Sequence, residues 1–177
     1  LGLIPPTISK SKTVIRDHIR QSPNGDIEWQ KIQYLVYGPR ILGAKLVTGV
    51  RTFFEMCKKN NIPVYIISHK TKYSNLYKSG VDLREAALMW MEKNNLFDAN
   101  GLSRDRVYFE SSRDEKIKRI ISLKCTRFID DMEEVFSSST FPKNVAKILY
   151  DPHTVLKNDV SHNRDGIRIF NSWKEIN

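Results

Sequence analysis

The chain has 177 residues, of which 40% are hydrophobic and 28% charged, with a formal net charge of +9 and a pI near 9.6. This is the composition of a globular domain with room for a real core; no apolar run is long enough to span a membrane, and no stretch reads as a signal peptide. The positive balance suits an anionic partner, but the Lys and Arg are spread along the chain, with no arginine-rich block and no RNA-binding aromatic motif, so the charge admits nucleic acid without pointing to it. Cys57 and Cys125 sit inside apolar patterns and read as reduced core residues of a cytoplasmic protein.

Taken in order, the chain opens on an irregular, proline-containing segment through Ser11. A first helix follows with Val14, Ile15, His18 and Ile19 on one face, His18 being read as a packed histidine. Pro23, Asn24 and Gly25 mark a turn, and a second helix from about Asp26 carries Trp29, Ile32, Gln33 and Val36 before it stops at Gly38-Pro39. Residues of about 10–45 therefore read as a small helical cap or insertion. From Gly49 the pattern becomes regular. Val50, Phe53, Phe54 and Cys57 fall at helical spacing, and residues 64–67 form a buried strand that ends in Ser68, His69, Lys70 and Thr71. Asp82 with Glu85 is a capping box for a helix with Leu83, Ala86, Ala87 and Trp90 inward. A loop through Asn100-Gly101 leads to a strand over 107–109. Ser112 with Glu115 is a second capping box, with Ile117, Ile120 and Ile121 facing the core behind it. A short strand at Phe128-Ile129, a short helix and a stronger strand over 145–150 complete residues 49–152 as the core. The tail from 153 to 177 holds a weak strand over 167–170 and Trp173 as a packing anchor. Strands alternating with amphipathic helices predict an α/β fold with a doubly wound, Rossmann-like parallel sheet covered by helices on both faces.

Three polar signals stand beside these strands. The run Phe128-Ile129 ends in two adjacent carboxylates, Asp130 and Asp131. In an open parallel sheet, ligands bind at the carboxyl ends of the strands, and two acids crowded there call for a cation; Mg²⁺ suits them, because it takes a few carboxylates and keeps waters or phosphate oxygens as its other ligands. A helix cap and a solvated carboxylate are the plainer alternative. Ser68 emerges at the end of its own strand, where a hydroxyl and the backbone amides after it can hold a phosphate oxygen, although a turn serine looks the same. Lys116 lies in the first turn of its helix, where the macrodipole disfavours a cation by a few tenths of a kcal/mol. A nearby carboxylate cluster and a phosphate would account for it; so would a solvated surface position.

In this order, Ser68, Lys116 and Asp130-Asp131 resemble the motifs of the haloacid dehalogenase-like (HAD) hydrolase superfamily over residues of roughly 49–152. That family carries a Ser or Thr at the end of its second strand, a Lys at a helix start and an acidic pair closing its fourth strand. Two-component receiver domains use similar residues but place the acids first. One family element is absent: the first strand ending in Asp-x-Asp, which supplies the nucleophile and the general acid–base and lies in mid-sheet between the strands of Ile66 and Ile129. The expectation is that it lies upstream of Leu1; the alternative is a shortened, inactive relative.

The resemblance implies a Mg²⁺-dependent phosphatase acting through an aspartyl-phosphate. Asp130 and Asp131 would hold the metal, Ser68 would bind a phosphoryl oxygen, and Lys116 would balance charge in the transition state. His69 and Lys70 are candidates to touch the substrate, and the cap would select it. The other reading is a non-catalytic HAD-like module that binds a phosphorylated ligand or a protein partner.

Overall fold

The computed structural model describes residues 4–78, 80–97, 102–153, 163–164 and 166–176. The expected loop at Asn100-Gly101 lies outside them. Among the described residues the fold is α/β, and no helix is long and apolar enough to cross a membrane. The chain divides into two compact units. One comprises residues 1–44 and 71–93, the other residues 45–70 and 94–177.

The first unit is helical. Helix α1 (Lys12–Arg20) packs on α2 (Gly25–Tyr37), and α3 (Leu83–Lys93) packs on α2 and on the 3₁₀ turn Ile41–Gly43. Ile19, Trp29, Ile41, Leu83, Ala86, Ala87 and Met91 are buried. Asp82 starts α3 as expected, its Oδ1 accepting from the amides of Arg84 (2.9 Å) and Glu85 (3.1 Å). Gly38 gives α3 its close approach to α2: a Cβ there would lie 2.8 Å from the carbonyl of Tyr34 and 3.1 Å from Leu83. Trp90 is only half-buried and donates its indole N–H to the carbonyl of Ala44 at 2.8 Å. Two face assignments change. His18 is exposed in the last turn of α1, and Val14 and Val36 are exposed, because these positions fall outside the stripe along which each helix packs.

The second unit carries the strands. Helix α4 (Val50–Lys59) precedes β1 (Ile66–His69), which pairs in parallel with β2 (Val107–Glu110). The strand thus begins and ends two residues later than its hydrophobic run suggests, because backbone pairing with β2, rather than side-chain apolarity, sets its limits; Ser68 and His69 lie inside it, opposite Phe109 and Glu110. Helix α5 (Arg113–Ser122) follows, capped by the Ser112 hydroxyl, which accepts from the Glu115 amide at 3.2 Å, while Glu115 reaches back to the Ser111 amide at 2.9 Å. Next come β3 (Arg127–Asp130), the single-turn helix α6 (Glu133–Phe136), β4 (Ala146–Tyr150), β5 (Asn163–Arg164) and β6 (Ile167–Phe170).

The strands make two sheets. One is β1-β2; the other has the order β3-β4-β6-β5, parallel except for β5. Among the described residues β1 pairs with β2 alone and β3 with β4 alone, so each has an edge without a partner strand. Yet both sheets share one core, in which Ile67 of β1 joins Ile117 and Ile120 of α5, Phe128 of β3, Phe136, Phe141 and Leu149. Ile121, expected in this core, is 51% exposed, while Ile117 and Ile120 are 1% and 0% exposed. A helix face of ten residues meets the core along one stripe, and Ile121 falls beside it. Cys57 is buried and Cys125 half-buried, both as free thiols, with burial raising each pKa.

Candidate functional site

Parallel strands bring their carboxyl ends to one edge, and that edge of the second unit carries a cavity of about 280 Å³. Its lining comprises Ile67 and Ser68 from β1, Lys116 from α5, Ile129 and Asp130 from β3, Asp131, Tyr150 at the end of β4, and Trp173 from the tail. Four residues singled out from sequence therefore meet at one place: Ser68, Lys116, Asp130 and Asp131. His69 and Lys70 do not line it. The ring of His69 is exposed with Nε2 at 3.2 Å from the Ser111 carbonyl, and the Lys70 amide extends the β1-β2 ladder to Glu110 at 2.9 Å.

The centre of the cluster is an ion pair. Lys116 Nζ donates to Asp130 Oδ2, and the two side chains are only 10% and 6% exposed. The other Asp130 oxygen, Oδ1, accepts from the Met132 amide at 3.0 Å, which fixes the turn out of β3. Burial pushes the Asp130 carboxyl above its ordinary value, more than the Lys116 charge and hydrogen bond pull it down, and the neighbouring Asp131 adds to the rise. Lys116 also stands 5.2 Å from the centre of the Phe128 ring. The position of Lys116 against its helix dipole is thus explained by this partner: a buried carboxylate outweighs a few tenths of a kcal/mol.

Asp131 is exposed beside the pair and lines the same cavity. No group of three or more His, Cys, Asp or Glu is arranged for a metal among the described residues. Two adjacent carboxylates, however, are within what Mg²⁺ requires when waters and a substrate oxygen complete its shell, and each Asp130 oxygen keeps a lone pair beyond its present hydrogen bond. The pair fits a partly hydrated Mg²⁺ and does not form a closed protein cage.

Of the four other lining residues, Ile67 and Ile129 belong to the apolar runs of their strands, while Tyr150 and Trp173 are aromatic residues not singled out as functional from the sequence. Tyr150 ends β4, one residue past Leu149, which lies opposite Asp130. Its place at the end of a buried strand was a legible signal. Trp173 was read only as a packing anchor, which it also is. Its ring centre lies 5.2 Å from that of Phe53 and 5.6 Å from that of Tyr150. No family model, characterised protein or solved structure matches the chain.

Proposed function

We propose that Ser68, Lys116, Asp130 and Asp131 form the phosphate- and metal-binding pole of a HAD-like phosphohydrolase. The meeting of these four residues at one cavity, around a buried Lys116–Asp130 pair, is the observation that carries the reading. Asp130 and Asp131 hold Mg²⁺, which when bound supplies positive charge against a phosphoryl group. The Ser68 hydroxyl donates to a phosphoryl oxygen. Lys116 keeps Asp130 oriented beside the metal position, and its remaining ammonium protons are available to the phosphate.

The two sheets support the rest of the reading. Among the described residues β1 and β3 each have an edge without a partner strand, and unpaired backbone is expensive where both strands border a shared core; Ile67-Ser68 and Ile129-Asp130 line the same cavity. A strand seated between β1 and β3 would pair both edges and complete a doubly wound, HAD-like sheet. In this reading that strand carries the nucleophilic aspartate.

Calorimetry with inorganic phosphate, with and without millimolar Mg²⁺, tests the pole. Phosphate binding should need Mg²⁺ and should weaken at least about tenfold in Ser68→Ala and in Asp131→Asn. Binding indifferent to Mg²⁺ and to both substitutions overturns the assignment. The 177-residue chain should bind without hydrolysing p-nitrophenyl phosphate; steady turnover that Ser68→Ala abolishes would show that it holds its own nucleophile.

A further inference from the structure

The polar pole occupies only part of the cavity wall. The remainder is apolar: Ile67 and Ile129 line it together with Tyr150 and Trp173, whose ring centres lie 5.6 Å apart with planes inclined by 46°. Trp173 is held from behind. Phe53 meets it edge-on at 5.2 Å and 67°, and Gly49 lies so close that a Cβ there would sit 3.0 Å from the Trp173 Cβ. Despite these contacts Trp173 stays half-exposed. A large ring fixed by a neighbouring aromatic and a glycine, with part of its surface left at a polar cavity, has the form of a preorganised apolar contact.

We propose that Tyr150 and Trp173 form the subsite for the organic part of the phosphate ester and favour a leaving group with a flat apolar face. The inference rests on the phosphate pole assigned above and adds the class of ester to it. An acyclic, fully hydrated leaving group gains little from these rings. An aromatic ring or the C–H face of a sugar ring covers them and displaces water from an apolar surface. The Tyr150 hydroxyl stays protonated at neutral pH, since burial raises its pKa further, so the wall adds no negative charge against a phosphate.

The test compares four ligands by calorimetry in Mg²⁺: inorganic phosphate, glycerol 3-phosphate, phenyl phosphate and glucose 6-phosphate. A ring ester should bind about threefold to tenfold tighter than glycerol 3-phosphate, and the better of the two identifies an aryl or a sugar group. Trp173→Leu should remove that advantage, with the loss confined to ring esters. Because Trp173 also packs on Phe53, Tyr150→Leu is the second variant, each checked by its thermal melt. Equal affinity for cyclic and acyclic esters overturns the subsite, as does an equal loss for all ligands in both variants. Failure of inorganic phosphate itself to bind overturns the pole, and the subsite with it.

Discussion

Replacing Lys116 with methionine keeps the length of the side chain and removes its charge, leaving the Asp130 carboxylate inside the protein without its cation. The two side chains are 10% and 6% exposed, so solvent does little to screen the change. Removing one partner of such a pair costs about 3–5 kcal/mol. At about 2–4 °C per kcal/mol for a chain of this size, the melting temperature should fall on the order of 10 °C. The double variant Lys116→Met/Asp130→Leu removes both charges and should recover most of the loss, because the pair itself contributes little net stability against apolar replacements. The pH dependence has a definite sign. Burial raises the folded pKa of Asp130 above its ordinary 3.8, so its contribution to stability is fully present below 3.8 and is lost as pH rises through the folded value. Without Lys116 that folded value rises further. The penalty of Lys116→Met should therefore be small in acid and grow toward neutrality. Urea unfolding of the wild type, both single variants and the double variant, repeated across pH 3–8, measures all of this. A single variant within about 1 kcal/mol of wild type at pH 7, or a double variant no better than Lys116→Met, would refute the buried-pair argument.

Two further predictions test the frame around the site. Ile120→Ala, at a fully buried position, should destabilise the protein by about 2–5 kcal/mol, whereas Ile121→Ala, 51% exposed, should change it by no more than about 0.5 kcal/mol in denaturant titration. Gly49→Ala should destabilise by more than about 1 kcal/mol and perturb tryptophan fluorescence, since Gly49 has φ +94° and its new Cβ would press on Trp173; an unchanged spectrum and stability would show that Trp173 is not seated there.

Local physics made much of this protein legible. Helical spacing marked α4, and the Asp82 and Ser112 caps marked the starts of α3 and α5, because a helix must satisfy its first amides with the nearest side chains. The step from Phe128-Ile129 to Asp130-Asp131 marked a strand end, since a buried strand cannot carry unpaired charge. Ser68, Lys116 and the two acids each stand at a strand end or a helix start, where a plainer reading serves as well; their order, which resembles the HAD motifs, singles them out, and they meet in one cavity. What the sequence alone could not decide were features that depend on partners far along the chain. The limits of β1 follow its pairing with β2, about forty residues later. The burial of Lys116 follows from Asp130 on another element, fourteen residues away. The grouping of residues 71–93 with the N-terminal helices, the exposure of Ile121 and the place of Trp173 beside the carboxylates are likewise tertiary facts. Periodicity says that a side chain shares a face with its neighbours; only packing says what that face meets.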